Sequence, residues 1–280
     1  MIDLHMHSTF SDGSLTPEEL VAEACRVGLT AIALTDHDGT HGLPRFLAAS
    51  QNTPVRTIPG VEISADFHGG TMHMLGYFIR FEDPALNEHL EWIRNGREMR
   101  NAEILHKLNA LGCHITWEQV VSFSGEDVVG RPHFAQAMIA SGFVSNKDQA
   151  FDKYLGRGKP AYADRRRLSP AASVKLIRDA GGVPVLAHPF TLNLGSQPLH
   201  TLLIELRAAG LEGLEAYYPE HNPAMHKEYL NLAKDMNLVA TGGSDFHGSM
   251  SPDIRMGFGF GGLRVPDDIV ERLEARRPQA

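Results

Sequence analysis

The chain has 280 residues, 42% hydrophobic and 21% charged, with a formal net charge of −8 when its 15 histidines are counted neutral. This balance fits one large α/β domain with room for an insertion, and argues against long nucleic-acid partners, which need a broad basic surface. No apolar run is long enough to span a bilayer, and the two cysteines, Cys25 and Cys113, form no CxxC pattern, so a reducing cytoplasm is the expected location.

Residues 1–5 read as a short strand. In extended chain the side chains at i and i+2 share a face, so His5 and His7 of DLHMHSTFSDG can reach one metal ion. Asp12, in the Ser/Gly turn that follows, can bring a hard oxygen back to the same place. Thr16-Pro17-Glu18-Glu19 is a helix start, with Thr16 as N-cap, Pro17 at the first helical position and Glu19 completing a capping box. That helix runs to Val27 and Gly28 closes it. Residues 31–35 are continuously apolar, as in a strand buried within a parallel sheet, and Asp36-His37-Asp38-Gly39 follows directly. A short helix over 43–50 comes next, then a strand ending in Gly60-Val61-Glu62-Ile63-Ser64. After the Gly69-Gly70 turn, an antiparallel partner is expected over 71–78.

From Pro84 the texture changes. Residues 84–110 read as one long helix with Leu86, Leu90, Ile93, Ile104 and Leu108 roughly in phase. Shorter helices are expected over 116–123, 132–140 and 146–155, with no strand between Arg80 and Ala161. This predicts an α/β domain over 1–82 and 162–280, interrupted by an all-helical insertion over 83–161. The Gly-rich Gly156-Arg157-Gly158-Lys159-Pro160 and the basic run Arg165-Arg166-Arg167 lie in the return connection.

The strand–helix alternation resumes at Ser169-Pro170, a second N-cap with proline at the first helical position. A strand over 183–187 ends in His188-Pro189, a helix reaches Gly210, and a strand over 213–216 ends at Tyr217-Tyr218-Pro219-Glu220-His221. A helix over 223–236, a strand over 238–241 ending in Gly243-Ser244-Asp245-Phe246-His247-Gly248, and a last helix after Pro266 complete the chain.

The candidate functional residues fall in one pattern. His5, His7, Asp36, His37, Glu62, His188, Glu215, His221, Asp245 and His247 all lie at or just after the expected C-terminal ends of strands, the pole where parallel barrels carry active sites. Imidazoles and carboxylates without thiolates suit Mn²⁺, Fe²⁺, Zn²⁺ or Mg²⁺. A carboxylate such as Glu62 can bridge two ions, and a multi-metal site can activate water while neutralising a phosphoryl oxygen. Asp36 and Asp38 are expected either to orient His37 or to cap the next helix. His68, His89, His106, His114, His200 and His226 are expected on the surface or in packing.

HMHSTFSDG, TDHD, PGVEIS, HMLGY, AHP and GSDFHG, in that order, resemble the motif series of the polymerase-and-histidinol-phosphatase (PHP) family. GRPHFA, YLGRGKPAY and EAYYPEH resemble, within it, stand-alone bacterial 3',5'-nucleoside bisphosphate phosphatases and 5'→3' exoribonucleases acting on very short RNA. The resemblance implies a distorted (β/α)₇ barrel with a helical insertion that covers the active site, and three divalent ions, manganese foremost. It implies His5, His7, Glu62 and Asp245 on one ion, Glu62, His73 and His188 on a second, and Asp12, His37 and His247 on a third. The expected reaction is removal of the 3'-phosphate from a nucleoside 3',5'-bisphosphate. Asp245, His247, Arg131 and His221 are expected in catalysis, and Arg131, His133, Arg157, Lys159 and His221 in substrate binding. Alternatives are 5'→3' trimming of short 5'-phosphorylated RNA, histidinol phosphate hydrolysis, which GRPHFA and EAYYPEH disfavour, and a non-catalytic metal-stabilised module. No membrane and no obligatory protein partner are expected.

Overall fold

The computed structural model describes residues 1–124 and 129–279. Its elements, in chain order, are β1 (Ile2–Asp3), α1 (Pro17–Val27), β2 (Ala31–Leu34), α2 (Leu43–Ala49), β3 (Arg56–Ala65), β4 (Met72–Tyr77) and α3 (Pro84–Ala110). Then come α4 (Trp117–Ser124), α5 (Arg131–Ala140), α6 (Lys147–Ala150), α7 (Pro170–Asp179), β5 (Val183–Leu186), α8 (Ser196–Ala209), β6 (Gly213–Tyr217), α9 (Pro223–Asp235), β7 (Val239–Gly242) and α10 (Ile269–Glu274). The chain divides into two compact units, Met1–Glu91 with Arg167–Ala280, and Trp92–Arg166. None of the described helices is long and apolar enough to cross a membrane.

In the first unit the seven strands follow one another in sheet order, β1 to β7. All neighbours run parallel except at β4, which is antiparallel to β3 and β5. The sheet then nearly closes on itself. Beyond β1 the chain stays extended: Leu4 N–H donates to Gly242 O at 3.3 Å, His7 N–H to Phe246 O at 3.0 Å, and Thr35 N–H to Met6 O at 2.9 Å. The result is a distorted seven-stranded α/β barrel. Because β4 runs backwards, its start lies beside the ends of its neighbours, and His73 at that start joins their pole.

Alternation fills the core. Ile2, Leu4, Ala33, Ile58, Leu75, Tyr77, Val183, Val185 and Val239 pack with Leu263, Val265, Ile269 and Leu273 of the C-terminal segment. Each such aliphatic side chain contributes roughly 1.5–3 kcal/mol when buried. Tyr77, fully buried, donates its hydroxyl to Leu4 O at 3.0 Å, so its one polar atom costs little.

Helix ends follow the local chemistry. Thr16 accepts from Glu19 N–H while the Glu19 carboxylate accepts from Thr16 N–H, and Gly28 closes α1 at φ +77°. Ser169 caps α7 and Asn222 caps α9, each before a proline.

The second unit is helical, and its described residues include no strand. Ile104, Leu108, Cys113, Ile115, Val120, Phe134, Met138 and Leu155 form its core. All five in-phase residues of α3 are buried. The stretch over 146–155 is not one regular helix: α6 gives way to a π turn at Phe151–Leu155, closed by Gly156 N–H donating to Phe151 O at 2.8 Å. A Cβ on Gly156 would sit 2.6 Å from that oxygen, so the wide closing turn needs the glycine. Of the cysteines, Cys113 is a core residue but Cys25 is only half-buried.

Candidate metal centre

Four buried carboxylates arrange the backbone before any candidate ligand is placed. Asp3 accepts from the backbone N–H groups of His5, Ser244 and Gly257 and from the Ser244 hydroxyl. It thereby ties the β1 segment to the loop that carries Asp245. Asp36 accepts from Ser8 N–H and from the Ser8 and Ser11 hydroxyls, all at 2.7 Å, which folds the turn between His7 and Asp12. Asp38 accepts from Ser64 N–H and hydroxyl and joins the loop after β2 to β3. Glu215 lies 3.0 Å from His5 Nδ1 and accepts from His188 N–H at 2.8 Å. Asp36 and Asp38 thus latch loops, and α2, with Gly42 at its N-cap, begins without a side-chain cap from either.

Close backbone approach and unusual dihedrals complete the scaffold. A Cβ on Gly243 would lie 2.3 Å from His5 N, so only glycine lets these segments meet. His188 adopts φ +22° and Asp245 φ +55°, a region that non-glycine residues enter at a cost of roughly 1–3 kcal/mol, typically at functional sites. Met6 is fully buried between His5 and His7, as expected when two histidines share the opposite face.

On this scaffold the nine expected ligands converge. Glu62 is the hub. Its oxygens lie 3.4 Å from His5 Nε2 and His7 Nε2, 2.9 Å from His37 Nδ1 and His73 Nδ1, and 3.0 Å from His188 Nε2. Asp245 Oδ1 lies 3.3 Å from His5 Nε2 and 3.1 Å from His7 Nε2. Asp12 lies 3.3 Å from His37 Nε2 and 3.2 Å from His247 Nε2. Four overlapping sets have donor atoms within 4.8 Å of one another: His7-Asp12-His37-His247, His5-His7-Asp245, His5-Glu62-His188 and His37-Glu62-His73. Glu62 belongs to two of these sets, as in the expected grouping, and His5, His7 and His37 each belong to two as well. Glu62 and Glu215 are also not at strand ends; they sit within β3 and β6, where β3 runs on past its pairing with β2.

The residues fit divalent ions. His5 Nε2, His7 Nε2, Asp12 Oδ1, His37 Nδ1 and Glu62 Oε2 are buried yet make no hydrogen bond. A buried polar atom without a partner costs roughly 1–3 kcal/mol, and here five of them face one another. Nitrogen and oxygen donors without sulfur suit Mn²⁺, Fe²⁺, Zn²⁺ or Mg²⁺.

The electrostatics agree. Burial opposes charge on every group. It is outweighed at His5 by Asp245, Glu215 and Glu62, and at His37 by Asp12 and Glu62, so both imidazoles stand well above the usual range. Asp12 and Asp245 lift His247 to about 9 against its burial. Glu62, Asp12 and Asp245 lie well below the carboxylate range despite burial, because imidazoles surround them. Burial wins at His73, which falls to about 4, and at His7, which is also lowered. The protons held here occupy positions that a cation can take over.

Two contacts to the cluster come from residues outside the candidates read from the sequence. Tyr218 donates its hydroxyl to Asp245 Oδ2 at 2.8 Å, and the Thr191 hydroxyl lies 3.0 Å from His188 Nδ1. Tyr218 lies within EAYYPEH, but no spacing rule separates it from Tyr217. His221 turns Nδ1 to Ala216 O at 3.0 Å and packs its ring on Phe190, Tyr218 and Tyr229. A carbonyl accepts, so Nδ1 carries the proton. Burial lowers this imidazole, and its buried Nε2 is left as an unpartnered acceptor.

Arg131, His133, Arg157 and Lys159 belong to the second unit. Arg131 donates to Leu155 O at 3.5 Å and stacks over Tyr162. His133 Nδ1 accepts from Gly130 N–H at 3.1 Å, closing the start of α5. Arg157 and Lys159 are exposed in the loop after the π turn.

The family model described as PHP domain matches residues 3–248. The chain is 36% identical over 248 residues to a 3',5'-nucleoside bisphosphate phosphatase of Chromobacterium violaceum, covering 88% of this chain and 87% of that one. It is 33% identical over 245 residues to a 5'-3' exoribonuclease of Haemophilus influenzae, covering 88% and 89%. A solved amidohydrolase structure from Chromobacterium violaceum, with bound sulfate and no metal, superposes with a TM-score of 0.81 at 34% identity, covering 99% and 98%.

Proposed function

The chain belongs to the PHP domain family and is a metal-dependent phosphoesterase, and we propose that it hydrolyses the 3'-phosphate of nucleoside 3',5'-bisphosphates to nucleoside 5'-monophosphate and phosphate. The observation that carries this reading is the crowding of five imidazoles around the single carboxylate Glu62. A carboxylate so placed can serve more than one cation, an arrangement suited to phosphoryl transfer. The choice of substrate is drawn from likeness to the Chromobacterium violaceum phosphatase.

In this reading His5, His7, Asp12, His37, Glu62, His73, His188, Asp245 and His247 hold divalent ions, three in number and manganese by preference. Bound ions supply Lewis-acid stabilisation of phosphoryl oxygens and lower the pKa of water. Glu215 and Tyr218 keep His5, His188 and Asp245 oriented. His221, with its proton fixed on Nδ1, presents Nε2 as an acceptor for a substrate hydroxyl or a proton in transit. Arg131, His133, Arg157 and Lys159 are the proposed contacts to substrate phosphate, where a planar guanidinium offers paired donors.

The likeness to the Haemophilus influenzae enzyme favours a second reading, 5'→3' trimming of very short RNA at the same centre. The net charge of −8 limits useful RNA length without forbidding RNA.

Phosphate release by the manganese-loaded protein tests the proposal. A nucleoside 3',5'-bisphosphate should be turned over at least tenfold more efficiently than the matching 5'-monophosphate, since one charge-assisted contact is worth about 1.5–3 kcal/mol. Equal efficiency on both would remove the bisphosphate reading, and a preference for a 5'-phosphorylated dinucleotide would install the second.

A further inference from the structure

A cleft of about 480 Å³ lies in the first unit between the loop after β6 and the segment after β7. Tyr217, Tyr218, His221, His226, Phe260 and Arg264 line it. The nine candidate ligands are absent from its walls, yet it is one side chain away from them. Tyr218 forms part of the wall while its hydroxyl donates to Asp245 at 2.8 Å. His221, whose ring packs edge-on against Phe190 and tilts against Tyr218, is a second shared wall.

The lining is held from behind. Phe260 is 57% exposed, a large apolar ring presented to solvent. It projects from a tight hairpin in which Gly257, Gly259 and Gly261 all adopt positive φ. Arg255 pairs its backbone with Gly259, and both Arg255 and Arg264 stack their guanidinium groups on Phe258. Arg264 is further held by donating to Leu263 O at 2.6 Å. Across the cleft, His221 and His226 both turn Nδ1 to the same carbonyl, Ala216 O, and His226 meets the Tyr217 ring edge-on. The cleft therefore has fixed aromatic faces, a fixed guanidinium and imidazole edges, and its volume suits a molecule of nucleoside size.

We propose that this cleft is the nucleobase subsite of the enzyme, with Phe260 and Tyr217 offering faces to the base and Arg264 a donor or stacking plane at its edge. This inference rests on the reading that the substrate is a nucleotide. The chemistry selects a base over an aliphatic or purely anionic group. Every base has a π face and a polar rim, and aromatic side chains bind it by stacking with little sequence demand. Tyr218, which lines the cleft and donates to Asp245, joins the cleft to the metal centre through one residue, so that base and reacting phosphate can belong to one molecule. His226, expected only in packing, is then part of a binding surface.

The test compares adenosine 3',5'-bisphosphate with its abasic tetrahydrofuran 3',5'-bisphosphate counterpart, in manganese-loaded wild type, Phe260→Ala, Phe260→Tyr and Arg264→Ala. Stacking on one aromatic ring corresponds to roughly a five- to hundredfold effect. Phe260→Ala should raise KM for the nucleotide by about that factor with kcat nearly unchanged. Phe260→Tyr should restore most of it, and the penalty should vanish on the abasic substrate. Metal content and thermal midpoint confirm that each variant is folded and loaded. If wild type prefers the nucleotide and both alanine variants keep that preference, the cleft is not the base subsite. If wild type hydrolyses neither compound, the nucleotide reading itself fails and the subsite falls with it.

Discussion

Glu62 is fully buried beside five imidazoles. A carboxylate so enclosed stays ionised only while cations, whether protons on histidine or metal ions, stay with it. Asp245→Asn and His188→Ala should accordingly lose bound metal and nearly all phosphatase activity while the fold persists, as read by metal analysis and circular dichroism. Glu215→Gln should weaken metal binding by about tenfold to a hundredfold, the usual range for a group that orients a ligand rather than binding the ion; an unchanged dissociation constant would leave Glu215 a packing residue. The pH dependence has a definite sign. His247 in the metal-free protein titrates at about 9, above the roughly 6.5 of a free imidazole. Its pairing with Asp12 thus contributes stability that is complete below about 6.5 and is lost as pH rises through about 9. A metal ion must displace the same proton. Metal affinity, followed by calorimetry from pH 7 to 10, should therefore rise with pH, while the metal-free melting temperature falls. Both slopes should be shallower in His247→Ala.

At the level of elements, the buried aspartates do the joining. Short strands meet their neighbours over few residues, so loops carry much of the site, and Asp3, Asp36 and Asp38 hold those loops from beneath. Asp36→Ala would leave Ser8 N–H and two hydroxyls without their acceptor in a buried setting. It should cost about 1–3 kcal/mol of stability and also weaken metal binding, because His7 and Asp12 flank that turn. Thr16→Ala removes an exposed cap at the start of α1 and should cost only about 1 kcal/mol, with metal affinity unchanged. Urea unfolding and metal titration of the two variants separate a latch that serves the site from a cap that serves only the helix.

At the level of the molecule, the first unit concentrates its liability at one pole. Buried donors without partners destabilise the metal-free state, so ligand binding there is folding free energy as well. Manganese at a hundred times its dissociation constant should stabilise the protein by about 2.7 kcal/mol, seen as a higher melting temperature that a chelator reverses. Amide exchange should slow most in the segments around His5–His7, His37, His188 and Asp245. Protection spread evenly over the chain, or none, would contradict a site made by these loops.

Much of this was legible in one dimension. The capping box at Thr16 and Glu19, the apolar run of β2 and the in-phase leucines of α3 are local patterns, and local physics decides them. Spacing alone put His5 and His7 on one face, and the ordered motifs pointed to the nine residues whose side chains converge. What the sequence could not determine is anything that depends on two distant segments meeting. The latching by Asp3 and Asp36, the sharing of His5, His7 and His37 between donor sets, and the Tyr218 hydrogen bond to Asp245 join residues up to 254 positions apart. Only barrel closure brings such pairs together, because a carboxylate's partner is chosen by distance in space and not by distance along the chain.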